Sequence, residues 1–272
     1  MEFTKAKTLG ELFAEWKKAQ LGESDESCDD TFPVFPKKWV KRTKSGEIIE
    51  VSEEFDRFKG SWADDGYICE SRYNEAKKKV LFILKERANS NLRILEEVFW
   101  FQNVVIRELN GAQLHGAERK YYYKIKALLD AICATEKCSI SMDQIAYMNI
   151  NKRGGLPRGT VNKRLRKYAD VYKNYILNEI EILAPDIIVF CGAYDIFKKN
   201  LLIDTTDHHS KTIPFHNKKC QYRHCKMNIG NNTADIFYMY HPACRNLSDD
   251  EYGAYFIEVL NRAKTTKKEA AQ

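Results

Sequence analysis

Long apolar runs are missing. No stretch approaches the roughly 18 consecutive apolar residues of a membrane-spanning helix. The opening Met1-Glu2-Phe3-Thr4-Lys5 has no secretory hydrophobic region, so a cytoplasmic protein without a membrane partner is expected. Internal repeats and low-complexity tracts are also absent, which argues against a stacked-repeat architecture. Neither sign of charge dominates: 44 Lys and Arg against 38 Asp and Glu leave a formal net charge of +6 and a pI of about 8.7. That balance permits a nucleic-acid partner without demanding one. Paired cysteine motifs are lacking too. The eight cysteines (Cys28, Cys69, Cys133, Cys138, Cys191, Cys220, Cys225 and Cys244) are scattered, several of them in apolar runs, so free thiols are expected. His216, Cys220, His224 and Cys225 are zinc-ligand types, but their spacing fits no closed site; no metal and no cofactor are expected.

What is present points to a packed core. Hydrophobic residues make up 44% and aromatics 12% of the 272 residues, which suits one large domain or a domain with an appendage. A Thr cap followed by Leu9, Leu12, Phe13 and Trp16 at helical spacing predicts an amphipathic helix over 8–21. Gly22 to Asp30 is acidic and Ser-rich and reads as a mobile linker. Residues 32–73, with Pro33 and Pro36, read as an irregular segment wrapping the rest. The expected division is thus 1–75 for helix, linker and wrapping segment, and 76–272 for the main domain.

From Lys79 the pattern alternates. Continuous apolar runs at 80–84, 145–150 and 187–191 and the run at 236–240 are of buried-strand length, and helical patterns cover 92–109, 121–134 and 162–183. Pro185 stops the last of these helices, Gly192 opens another, and the basic tail 264–268 reads as frayed. Strands alternating with helices predict an α/β fold: three α/β/α layers around a mostly parallel, four-stranded central sheet, plus the N-terminal extension.

The stretch Phe237-Tyr238-Met239-Tyr240-His241-Pro242-Ala243-Cys244-Arg245-Asn246 organises the functional reading. It is a buried strand running into a tight loop with a histidine at the junction, and α/β proteins place their sites at the carboxyl ends of strands. Two earlier strands end in similar polar loops. The first presents Glu86 with Asn89 and Asn91, and the second presents Asn149 and Lys152. A carboxylate, an amide and an imidazole on one sheet edge make an acid/base and recognition set. Taken singly, each has an ordinary alternative as a solvated carboxylate, a strand-end cap or a turn histidine.

In four ordered features, residues 79–261 resemble the uracil-DNA glycosylase superfamily. These are Val80-Leu81-Phe82-Ile83-Leu84-Lys85-Glu86; Tyr147-Met148-Asn149-Ile150-Asn151-Lys152-Arg153; Ile182-Leu183-Ala184-Pro185-Asp186-Ile187-Ile188-Val189-Phe190-Cys191-Gly192; and Tyr240-His241-Pro242-Ala243, which is similar to the family's His-Pro-Ser loop. The resemblance implies an enzyme that flips a base out of DNA and hydrolyses its N-glycosidic bond. It implies that Glu86 positions the attacking water, that His241 donates a hydrogen bond to the base oxygen where negative charge gathers, and that Asn149 reads the base edge.

Departures from the family sharpen the expected substrate. Where family members place Pro and Tyr after the catalytic Asp, the latter excluding 5-substituted pyrimidines, this chain has Arg87 and Ala88. A second register, with Glu86 matched to the Glu of a Gly-Glu-Ala-Pro-Gly loop, leaves the base open. The open wall at Ala88 and Asn89 points to a 5-modified pyrimidine, such as the hydroxymethyl- or glucosyl-hydroxymethylcytosine of phage DNA, and so to a phage-defence glycosylase. Phe99, in the aromatic run Phe99-Trp100-Phe101, offers a stacking ring or a core residue. Arg245, with Leu247 as competitor, stands where the family often inserts a side chain into the gap left by the base. Lys152, Arg153, Arg158, Lys163, Arg164, Arg166 and Lys167 lie within 16 residues without an acid among them, a candidate phosphate grip or a solvated helix face. A monomer that acts on DNA is expected. Ordinary uracil repair and a catalytically inert binder of DNA or modified bases remain as alternatives.

Overall fold

The computed structural model describes residues 3–23, 40–42, 48–50, 62–88, 99–155, 162–193, 196, 201, 205–244 and 247–270. In chain order the helices are α1 (Leu9–Leu21), α2 (Glu70–Glu75), α3 (Trp100–Leu109), α4 (Gly116–Glu136), α5 (Asn162–Val171), α6 (Lys173–Leu183) and α7 (Asp249–Ala270). The strands are β1 (Val40–Arg42), β2 (Ile48–Glu50), β3 (Gly66–Tyr67), β4 (Val80–Ala88), β5 (Ile145–Gly155), β6 (Ile187–Cys191), β7 (Thr205–Phe215), β8 (Lys218–Ile229) and β9 (Asn232–Met239).

The four expected strands are present as β4, β5, β6 and β9, and they are neighbours. The main sheet runs β3-β5-β4-β6-β9-β8-β7, and the pairs β4/β5, β4/β6 and β6/β9 are parallel. Among the described residues the sheet has seven strands rather than four: β3 adds antiparallel to β5, while β8 and β7 add as an antiparallel hairpin beyond β9. The reason for the shortfall is chemical. Residues 80–84 of β4 and all of β6 are buried on both faces and read as apolar runs, whereas β8 alternates buried and exposed positions and carries Lys, Arg, His and Gln at many of them.

Successive residues of β4 enter different cores, as strand alternation requires. Val80, Phe82 and Leu84 join α3, α4 and α7 residues such as Val105, Leu128 and Phe256 in one cluster. Leu81 and Ile83 join Trp16 of α1, Leu165 and Tyr168 of α5, and Ile176 and Ile180 of α6 in the other.

The helices differ from expectation at their ends. α1 has the expected cap, with Thr8 Oγ1 accepting from the Glu11 amide at 3.2 Å. Of the linker expected from Gly22 to Asp30, Glu23 is instead buried against Arg153 at 2.5 Å; residues 24–30 lie outside the described residues. The helix expected over 92–109 is described from Trp100 onward. The helix expected over 162–183 is two, interrupted at Tyr172, where φ is −102° and ψ is 20°. Its apolar positions keep their i+3/i+4 spacing across the break, so periodicity does not register it. The tail expected to fray continues α7 to Ala270, and Lys264 Nζ donates to the Thr135 carbonyl at 2.5 Å. Among the described residues, no helix is long and apolar enough to cross a membrane.

Candidate functional site

The carboxyl ends of the four parallel strands bring the three predicted positions to one edge. Leu84 pairs with Asn149, Ile83 with Phe190, and Cys191 with Met239, so these residues form nearly one rung. Glu86, paired with Asn151, lies two residues further along β4, and His241 lies two residues beyond Met239. At strand spacing, Asn149 and His241 are about 14 Å apart across the sheet, too far to touch and wide enough to flank a ligand. Glu86 is fixed here by its backbone; its side chain, that of Ala88, and residues Asn89, Arg158 and Arg245 lie outside the described residues.

His241 is positioned by a closed turn. Pro242 follows it, the Cys244 amide donates back to the His241 carbonyl at 2.8 Å, and Tyr252 Oη donates to the Tyr240 carbonyl. Lys124, buried on α4, donates to the Cys244 and Leu247 carbonyls at 3.2 Å each and ties the outgoing loop down. Gly192 supports the histidine from β6. Its φ is +79°, and a Cβ there would stand 2.9 Å from His241 Cβ, so the close approach needs glycine.

The protonation of His241 follows from its contacts. Nδ1 accepts from the Ala243 amide at 3.1 Å, which assigns the proton of the neutral ring to Nε2. Burial first, and then the charges of Lys85, Lys120 and Lys124, lower its pKa to about 4. At neutral pH this is an uncharged imidazole with an N–H donor in a positive field. Such a group stabilises negative charge on a ligand oxygen without surrendering a proton. Tyr121 stands against it, with Oη 3.3 Å from Nε2 and the rings edge to face at 5.5 Å. Trp100 packs edge-on against Tyr121 at 5.6 Å.

Asn149 is buried, and its main-chain amide donates to Asp65 Oδ2 at 2.6 Å. Among the described residues its buried side-chain Oδ1 meets no hydrogen-bond donor, an omission that costs about 1–3 kcal/mol in a finished core. Phe99 is half-buried near Tyr147, with ring centroids 6.3 Å apart, and packs against the core.

Lys152 and Arg153 do not belong to a phosphate-binding surface. Lys152 Nζ is fully buried between Asp65 Oδ1 at 2.5 Å and Glu179 Oε2 at 2.8 Å. Burial raises both carboxyl pKa values, that of Glu179 well above its usual range with the Asp65 charge adding to the effect. Arg153 is buried too, with NH2 at 2.5 Å from Glu23 and 3.1 Å from Tyr172 Oη. A bulge explains why neighbours in sequence enter the same core: from Glu86 to Ala88, two steps along β4 face four along β5, and Asn151 Oδ1 accepts from the Arg153 amide. Of the remaining predicted grip, Lys163 and Lys167 are exposed, and Arg164 and Arg166 are half-buried.

A cavity of about 840 Å³ opens at the β3 edge, lined by Thr8, Phe13, Asp65, Tyr67, Phe99 and Gln102 among others, and of the predicted residues only Phe99 lines it. Reading the sequence missed Tyr121 and Lys124. Their three-residue spacing on α4 puts them on one helix face, but nothing local indicates that this face meets the His241 loop, 120 residues away. Among the described residues, no group of three or more His, Cys, Asp and Glu is placed to hold a metal ion. No family model matches the chain, and no curated protein matches it.

Proposed function

We propose that the protein is a monofunctional DNA glycosylase built on a three-layer, uracil-DNA glycosylase-like domain. It flips a pyrimidine out of DNA and hydrolyses its N-glycosidic bond, leaving an abasic site. The observation that carries this reading is the neutral Nε2–H of His241, held in a cationic environment at the carboxyl edge of the parallel strands. As the bond breaks, the base gathers negative charge on its carbonyl oxygen, and a neutral donor set beside lysines suits that charge. Asn149 supplies the second element: a buried amide oxygen that meets no donor among the described residues suits a donor brought by a ligand, such as an exocyclic amine or a ring N–H of the base. Glu86, on the same edge of the sheet, is assigned to the attacking water. The preferred substrate is a 5-modified cytosine, hydroxymethylated or glucosylated, as carried by phage DNA, and the biological role is antiviral defence. The departure at Arg87 and Ala88 supports this choice.

The test is base release from matched duplexes carrying glucosyl-hydroxymethylcytosine, hydroxymethylcytosine, cytosine or uracil, read as abasic sites. Release from the modified duplexes is expected, with loss in Glu86→Gln and His241→Ala while DNA affinity stays within a few-fold. Release of uracil alone transfers the reading to base-excision repair. DNA binding without release of any base overturns the enzyme assignment in favour of an inert binder.

A further inference from the structure

We propose that Tyr121 is a second hydrogen-bond donor to the oxygen that His241 polarises, so that Nε2–H and Oη–H together form a paired site for the anionic oxygen of a pyrimidine. This rests on the glycosylase reading and names a further residue of the same site.

Three observations carry it. First, Tyr121 Oη and His241 Nε2 lie 3.3 Å apart. Two donors at that separation can converge on one oxygen about 2.8 Å from each, an ordinary hydrogen-bond length. Second, the contact between them is at the weak end of the range. With the ring proton on Nε2, the tyrosine oxygen is the acceptor in this contact. A ligand oxygen then replaces a long neutral contact with two shorter, charge-assisted ones. Third, this hydroxyl meets the imidazole itself. The buried tyrosines Tyr73, Tyr252 and Tyr255 end on main-chain carbonyls, and Tyr168 and Tyr172 end on Gln20 and Glu23. Tyr121 is half-buried, is braced edge-on by Trp100, and ends on the imidazole. Its helix also carries Lys120 and Lys124, which with Lys85 place positive charge around the same point.

The step balances without any proton leaving either donor. The electron pair of the sugar–base C–N bond departs with the base and spreads onto its oxygen, held by N–H and O–H. Water gives its hydroxyl to the sugar carbon, and its proton finally neutralises the released base.

The experiment uses the full chain and the variants Tyr121→Phe, His241→Gln and their combination. Phenylalanine keeps the ring packed against Trp100 and His241 and removes only the hydroxyl. Single-turnover base release is measured on the modified duplexes, together with DNA affinity. In parallel, binding of barbiturate, a pyrimidine already anionic at neutral pH, is measured by calorimetry. Tyr121→Phe is expected to slow release by about 10- to 100-fold, toward the loss seen when one oxyanion donor is deleted, with DNA affinity changed less than twofold. It is expected to weaken barbiturate at least about tenfold, the size of one charge-assisted bond. Slowed release with DNA affinity lost in proportion, or release and barbiturate binding both at wild-type level, overturns the paired donor. If wild type releases no base but Tyr121→Phe still weakens barbiturate, the paired site stands and the glycosylase reading falls. If wild type neither releases base nor binds barbiturate, both fall.

Discussion

At His241 a single main-chain amide decides where the proton sits. Because Ala243 N–H occupies Nδ1, the ring is a donor at Nε2, and burial with three lysines keeps it uncharged down to about pH 4. The unfolded chain takes a proton on this residue near pH 6.5. Folding stability tied to His241 is therefore complete above pH 6.5 and falls as pH drops toward 4, by up to about 3 kcal/mol. Urea denaturation of wild type and His241→Gln at pH 7 and pH 4.5 should show wild type losing more stability than the variant; equal losses would falsify the buried neutral ring. Asn149 offers a complementary test. Replacing this amide, whose buried Oδ1 meets no donor among the described residues, by Leu should change stability by less than about 1.5 kcal/mol, while base release falls at least about 100-fold, as for loss of a positioned polar contact. A large drop in melting temperature would instead mark Asn149 as a structural residue.

At the scale of elements, the site depends on how β6 and β9 end side by side. Gly192 donates its amide to the Met239 carbonyl at 2.8 Å and leaves no room for a Cβ beneath His241. Gly192→Ala combines a positive φ with a close contact, so a loss of about 2–3 kcal/mol is expected in denaturant titrations, together with a displaced His241 ring resonance. These element ends were partly legible in the sequence. Uniformly apolar runs such as 80–84 of β4 and 187–191 of β6 declare themselves because both faces are buried, and His-Pro declares a turn. The β7–β8 hairpin was not legible, since one face of β8 is polar and its Cys and His residues resemble a ligand cluster. The break at Tyr172 was hidden because helical spacing continues across it.

For the whole molecule, the basic run after β5 divides into core and surface. Lys152 supplies the positive charge between two buried carboxyls whose pKa values burial raises, and removing it takes away their counter-charge. Lys152→Met should cost about 3–5 kcal/mol, measured by urea unfolding, and should act on DNA binding only through stability. Lys163 and Lys167 are exposed. Changing both to Gln should leave stability within about 0.5 kcal/mol while reducing the slope of log affinity against log salt by about 2. A salt slope unchanged by that double variant would remove this helix from the DNA-binding surface.

The amino-acid sequence by itself determined the four parallel strands, the capped first helix and the aromatic-rich core, because local hydrophobic period and turn chemistry are read over a few residues. It also marked Glu86, Asn149 and His241 as polar groups following apolar runs, although β4 and β5 continue past the first two, to Ala88 and Gly155. Only the tertiary structure decided that Lys152 and Arg153 are internal, because a strand bulge turns them both toward α1, α5 and α6. Only the tertiary structure, too, set Tyr121 and Lys124 against the His241 loop. Such pairings depend on where a helix comes to rest across the sheet, and no spacing within one segment encodes that.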